Sequence, residues 1–403
     1  MLREKILSFF IEGVPYMMST YDSLVIGAGF AGAVAARELA ERGNQKVLLL
    51  ERRPHIAGNA YDCLDPSGIL IHQYGPHIFH TNSKRVYDYL SRFTQWRGYQ
   101  HRVVADVYGL RMPVPFNLDS LRLAFGPDKG AHLEEKLLSA YGPEQKIGIL
   151  ELRQNPDPDL ALVADYIYEN VFLQYTMKQW GTTPEEIDPN TTARVPVFLS
   201  RDDRYFQDTY QGMPQEGYAS MFQQMLDHPN ITLCLGVSAE ERLTLGETSL
   251  LLDDSPFHGP VIYSGAVDEL FSCRLGRLPY RTLDFNFETL PCEWFQSHGT
   301  VNYTVEEPFT RITEFKHLTG QHSPQTTTIV REFSRAYEGE PGDIPYYAII
   351  SPKNRALYES YRTLSSAYPN LYLLGRLAEY QYYNMDAITE RALSLCDTLL
   401  TTV

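Results

Sequence analysis

The sequence predicts an α/β protein: a parallel α/β layer with two inserted regions, one helical and one an antiparallel sheet. Three observations predict it. Residues 22–51 read as strand, glycine-rich turn, helix and second strand, and a strand near 371–374 followed by a helix ends the chain in the same style. Between them, residues 118 to about 180 are helical in pattern. Residues 278–350 are rich in β-branched and aromatic residues, as an antiparallel sheet requires.

The elements follow in order. The run LVI marks the first strand, within 22–26, and Gly27-Ala-Gly29-Phe-Ala-Gly32 makes the turn. AVAARELAER then favours a helix that stops at Gly43, a residue suited to a helix C-terminus. Residues 46–50 form the second strand, which ends at Glu51, 19 residues after Gly32. Residues 54–76 read as loops and 83–93 as a helix. Residues 101–115 alternate about Tyr108-Gly109 and predict a β-hairpin. The helical stretch is broken at Gly126-Pro127, Gly142-Pro143 and Asn155-Pro156, and loops run from Thr182 to Gly217. Residues 218–227 read as a helix, 231–235 and 260–264 as short strands. The loop GRLAEYQYYN leads to a last helix capped by Asp386.

The predicted division is discontinuous. Residues 21–83, 217–270 and 366–403 form a Rossmann-like domain. Residues 84–100 and 118–185 form a helical domain, and 101–117, 186–216 and 271–365 the sheet domain. Residues 1–20 superficially resemble a signal peptide, but Glu12 interrupts the apolar stretch. They are expected to be an unstructured extension, with Met17 or Met18 as the start.

Composition excludes several classes. With 35 Lys and Arg against 50 Asp and Glu, the net charge is −15, the wrong sign for a nucleic-acid binder. No apolar run is long enough to insert in a membrane. Cys63, Cys234, Cys273, Cys292 and Cys396 are scattered and never form C-x-x-C, so free thiols in the cytoplasm are expected.

G-x-G-x-x-G after a strand, opening a helix, with an acid at the right distance, is the dinucleotide-binding context. Gly27 permits the turn, Gly29 lets backbone approach a pyrophosphate, and Gly32 lets helix and strand pack closely. Glu51 suits ribose hydroxyls. The motif does not separate FAD from NAD. A second helix N-terminus, near Asp386, would stabilise negative charge on a reduced flavin.

The stretches VIGAGFAG, ERRPHIAGNAYD, YGPHIFHT, YTMKQWG, ARVPVF, YQGMPQEGY, YRTLDF, TRITEFKH, PYYAI and LGRLAEYQYYNMD occur in this order from Tyr21 onward. In them the chain resembles the bacterial UDP-galactopyranose mutases. The resemblance implies FAD in the Rossmann-like domain and interconversion of UDP-galactopyranose and UDP-galactofuranose. It further implies that N5 of reduced FAD attacks galactose C1, with UDP leaving and no net redox. The product would feed cell-surface polysaccharide, and the protein would be a homo-oligomer.

The resemblance also implies roles for residues. Tyr175 would stack on uracil, with Trp180 and Phe172 beside it. Arg194, on a mobile loop, and Arg311, on a strand, would clamp the diphosphate, while Tyr205, Tyr347 and Tyr382 bond its oxygens. Asn302 and Arg281 would complete the substrate site, and His80 would join the two clamping arginines as catalytic. FAD would be held by Gly27, Gly29, Phe30, Gly32, Glu51, Arg52, Gly58, Asn59, His77, Gly375, Arg376, Tyr382, Asn384, Met385 and Asp386. Two positions depart from the family pattern: Ala57 stands where many members have Gly, and Asn384 where many have an acid.

Read without the resemblance, each feature has a plainer explanation. Tyr175 and Trp180 fit a helix core, Arg194 and Arg311 a solvated surface. His77 and His80 have H-x-x-H spacing, but no nearby carboxylate or cysteine completes a metal set. The Rossmann-like front end alone also suits an amine-oxidase-type FAD oxidoreductase, or a binder without flavin like the GDP dissociation inhibitors.

Overall fold

The computed structural model describes residues 21–181, 183, 196–247 and 249–401. The expected extension 1–20 and Arg194 lie outside the described residues. Strands Ser23–Ile26 and Val47–Glu51 flank helix Phe30–Glu41, as the sequence predicts. They sit in a five-stranded parallel sheet, in the order Ile231–Leu235, Val47–Glu51, Ser23–Ile26, Val261–Tyr263, Leu371–Leu373.

Runs such as LVI and VLLL are apolar at every position because both sheet faces are covered. Val25, Val47, Leu49 and Ile262 pack under helices Phe30–Glu41, Gly217–Leu226 and Met385–Thr401. Leu24, Ile26, Leu48 and Leu50 pack instead on a small antiparallel meander, Leu243–Leu245, Leu250–Leu252 and Ser255–Phe257.

A seven-stranded sheet forms the second layer. Its order is Tyr347–Ala348, Tyr280–Leu290, Thr327–Ala336, Arg311–Glu314, Thr300–Tyr303, Val103–Val107, Leu110–Val114. The last two strands are the predicted hairpin. One neighbour pair departs from the antiparallel expectation: Thr300–Tyr303 runs parallel to Val103–Val107.

The helical region is Leu118–Phe125, Pro127–Tyr141, Ile149–Leu152, Pro158–Ile167, a π-helical segment Tyr168–Leu173, and Gln174–Trp180. Its starts are written in the sequence. Asn117 Oδ1 accepts from the backbone N–H groups of Asp119 and Ser120, and Asp157 Oδ1 from those of Asp159 and Leu160.

Three expectations are corrected. Residues 84–100 do not join the helical group. Val86, Tyr89 and Leu90 of helix Lys84–Leu90 enter the core beneath the parallel sheet, and Ser83 and Arg85 bond Glu390 of the last helix. The stretches read as loops contain strands: Asp62–Leu64 pairs with Leu70–His72, and Tyr210–Pro214 lies between Phe79–Thr81 and Trp96–Gly98. Most are three residues long, too short to show a period of two. Finally, the last helix begins at Met385, so Asp386 lies in its first turn and accepts from the Ala387 N–H at 2.7 Å.

Close packing of the first helix depends on Gly32. A Cβ there would stand 1.9 Å from the carbonyl oxygen of Gly27. Gly32→Ala should therefore cost about 1–3 kcal/mol through overpacking. Chemical denaturation of the cofactor-free protein checks this; an unchanged midpoint would contradict it.

Candidate active site

Two cavities lie between the layers. The first, about 1030 Å³, follows the glycine turn and is lined by Gly27, Gly29, Phe30, Glu51, Arg52, Gly58, Asn59 and Gly375, among others. Helix Phe30–Glu41 opens onto it at Gly29 with no side-chain cap, so its first N–H groups remain available to an anion. Gly58, at φ +55°, lies against Gly29: a Cβ on Gly58 would stand 2.9 Å from Gly29 Cα. Ala57 beside it holds φ +73° despite its Cβ, so the left-handed turn stands without a glycine at this position.

Glu51 is buried and does more than the motif implies. Its Oε2 accepts from the Ala28 N–H and its Oε1 from the Arg53 N–H, which ties the turn to the second strand. A carboxylate has about four lone-pair sites, so acceptor capacity remains for hydroxyls.

The second cavity, about 590 Å³, is lined by Tyr175, Tyr205, Asn302, Arg311, Tyr347 and Tyr382, with His80 and His101. Arg311 and Asn302 face each other across neighbouring strands, and Arg311 opposes Glu332 on its other side. Arg311 Nε donates to Glu332 Oε1 at 2.6 Å, and the Glu332 side chain is 1% exposed. Burial works against the arginine's charge, and the carboxylate more than offsets it. Tyr347 and Tyr382 stack with ring centroids 5.9 Å apart. Burial pushes the Tyr347 phenol up to about 12, so it stays a donor.

The cavities share a wall. Asn59, His77, Arg376, Asn384 and Met385 line both. Arg376 is fixed by the carbonyls of Tyr346 and Tyr383, at 3.3 and 2.6 Å, with its guanidinium over the Tyr382 ring. His77 Nδ1 lies 2.9 Å from the Gly75 carbonyl, which can only accept, so this nitrogen carries the proton. Burial lowers the His77 imidazole to about 4 and the neighbouring His72 to about 3, so both are neutral near pH 7.

Not every expected residue reaches a cavity. Phe172 is buried in the helical core, and Trp180 packs on Tyr347 at 5.6 Å without lining the cavity. Arg281 is drawn away: it donates to the carbonyls of Lys178 and Gln179 and to Ser334, closing the end of helix Gln174–Trp180. Gly32 and Asp386 serve the helix ends and line neither cavity. Conversely, Tyr74, His101, Lys146, Phe206, Gln207, Asp208 and Tyr346 line the second cavity without having been singled out. Three of them directly follow Tyr205, the one local signal that pointed there. Among the described residues, no helix is long and apolar enough to cross a membrane.

A family model described as UDP-galactopyranose mutase matches residues 170–382, and one for an NAD(P)-binding Rossmann-like domain matches 25–93. The chain is 36% identical to a UDP-galactopyranose mutase of Mycoplasma pneumoniae, over 94% of this chain and 96% of that one. It is 35% identical to a dTDP-fucopyranose mutase of Escherichia coli, over 92% and 96%. The fold is similar to that of a crystal structure of reduced UDP-galactopyranose mutase, with TM-score 0.69 and 16% identity over 95% and 94% of the two chains. Putrescine oxidase shares the fold more distantly, with TM-score 0.55 and 10% identity over 94% and 99%.

The Arg311–Glu332 pair generates a stability prediction. Arg311→Ala leaves a buried carboxylate unpaired and should cost about 3–5 kcal/mol, whereas replacing both partners by apolar residues should cost less. Thermal and chemical denaturation check the order; equal losses in the single and double variants would contradict it.

Proposed function

The chain belongs to the UDP-galactopyranose mutase family, and on that premise we propose that it interconverts UDP-galactopyranose and UDP-galactofuranose. FAD would occupy the first cavity and the nucleotide sugar the second. The observation that carries this reading is the shared wall of five side chains, across which a group filling one cavity meets a group filling the other.

The first cavity fits FAD by its chemistry. The uncapped helix start suits the pyrophosphate, the Gly29–Gly58 approach leaves a cradle that a Cβ would fill, and Glu51 retains acceptor capacity for ribose. Helix Met385–Thr401 starts at the shared wall, where its dipole favours negative charge. When bound, reduced FAD supplies an electron-rich N5 nucleophile toward the sugar's C1, with no net redox.

The chain's own residues position and neutralise. Arg311, held on Glu332, offers its remaining guanidinium donors to the diphosphate, whose charge grows as the anomeric bond breaks. Arg194 joins it on the strength of the family resemblance. Tyr175 offers a ring for uracil, and the hydroxyls of Tyr205, Tyr347 and Tyr382 serve phosphate oxygens. Trp180, Phe172 and Arg281 support this wall from behind. His77, neutral with its proton on Nδ1, keeps Nε2 as an acceptor at the shared wall. The product would supply galactofuranose for cell-surface polysaccharide from the cytoplasm. The name of the Escherichia coli relative supports a second reading, dTDP-fucopyranose as substrate.

Both sugars have the same oxidation state, so electrons given to the flavin must stay there. Dithionite reduction should switch turnover of UDP-galactose on, with many turnovers for each flavin reduced. Loss of NAD(P)H in step with product, as an oxidoreductase of this fold would show, would contradict the reading.

A further inference from the structure

One side chain on the wall of the second cavity has a partner that no local pattern reveals. His80 Nδ1 lies 3.1 Å from Oδ2 of Asp208, 128 residues away. His80 belongs to strand Phe79–Thr81, and Asp208 lies two residues before strand Tyr210–Pro214 paired with it, in the register Tyr210↔Thr81 and Gln211↔His80. The sheet therefore fixes the two backbones relative to each other. Phe206 stacks on the imidazole, with centroids 3.6 Å apart and planes 13° from parallel. Behind the pair, Asn82 donates to Asp208 Oδ1 at 2.9 Å and accepts from the Thr209 N–H at 2.9 Å. Ring plane, ring edge and carboxylate are all held.

We propose that Asp208 is a positioning residue for the reaction: it fixes His80 in the Nδ1–H tautomer, so that Nε2 is the acceptor presented to a sugar hydroxyl in the second cavity. The bond from His80 holds the Asp208 carboxyl below its usual range, so it is ionised and can only accept. The shared proton therefore belongs to Nδ1, and whenever the ring is neutral its lone pair is on Nε2. Ring contraction changes which sugar oxygen is bonded to C1, so a hydroxyl has to be oriented on a defined side. An imidazole free to change tautomer would present a donor or an acceptor at the same point, and Asp208 removes that choice.

The charged and titratable surroundings are few. His101 lies beyond Phe206 and is kept neutral by burial, with Arg311 acting on it in the same sense. Lys146, bonded to Gln207, acts on Asp208 from strand Lys146–Ile147. The catalytic consequence rests on the mutase reading; the hold of Asp208 on His80 does not.

Two measurements test the proposal. Nitrogen NMR of the histidine rings in the ligand-free protein reads the tautomer of His80. Steady-state kinetics on the reduced holoenzyme read the reaction. In Asp208→Asn, the Nδ1–H signature of His80 should give way to a mixture of the two tautomers, since an amide can donate to Nδ1 as well as accept from it. The kcat should fall about 10–100-fold with KM little changed, the usual cost of losing an orienting partner. Asp208→Glu should restore the Nδ1–H signature and part of the rate. In a His80→Gln background, Asp208→Asn should cost less than about twofold, because coupled residues are not additive. A His80 ring still held wholly in the Nδ1–H form in Asp208→Asn would overturn the proposal. So would wild-type kcat, or a full additive loss in the His80→Gln background. Should Asp208→Asn fail to fold, Asp208→Glu and the His80→Gln pair carry the same comparison. If the wild-type protein turns over neither UDP- nor dTDP-sugars, the functional reading fails, and the NMR arm still decides whether Asp208 holds His80.

Discussion

The molecule is organised around a place where no side chain can stand. At the end of strand Ser23–Ile26 the backbone turns so tightly that Gly32 meets the Gly27 carbonyl, and Gly58 is pressed against Gly29. That closeness keeps helix Phe30–Glu41 against the sheet with its first N–H groups uncovered. Buried Glu51 ties the turn to the second strand through Ala28 and Arg53. The first cavity exists because these backbones approach, and the shared wall with the second cavity follows from where the cavity runs. Ala57 shows that one member of the set can carry a Cβ when its φ of +73° is enforced by its neighbours.

The second cavity obeys a different economy of charge. Arg311 and Glu332 face each other on adjacent strands, so the arginine's charge is balanced inside the protein. Only its remaining donors are left for a ligand. Burial keeps His72, His77 and His101 uncharged, so these rings act as hydrogen-bonding groups rather than as charges. Positive charge on the lining is carried by Arg311 and Arg376, which cannot lose it, and by Lys146, and negative charge by Asp208. A wall of this composition is suited to orienting a diphosphate and a neutral sugar.

Much of this was legible in the sequence where the signal is local. The glycine turn with its acid and the hairpin within 101–115 are both read from a few neighbouring residues. The family resemblance pointed to Tyr175, Tyr205, Arg311, Tyr347 and Tyr382, and the structure brings these together. What escaped depends on distance along the chain. The sheet holding Phe79–Thr81, Tyr210–Pro214 and Trp96–Gly98 joins segments more than a hundred residues apart. With it went the placement of residues 84–100 and the pairing of His80 with Asp208. Arg281 lies in a matching motif and Phe172 just before one, yet they serve helix termination and packing, because a motif records neighbourhood rather than direction.

The central claim is that one nucleotide sugar is rearranged, without net oxidation, where the two cavities meet. Incubating the anaerobically reduced holoprotein with UDP-galactofuranose and separating the products by chromatography tests it most directly. UDP-galactopyranose should accumulate catalytically with the reduced protein and stay absent with the oxidised one. Unchanged UDP-galactofuranose in both samples, with dTDP-fucofuranose equally untouched, would contradict the account.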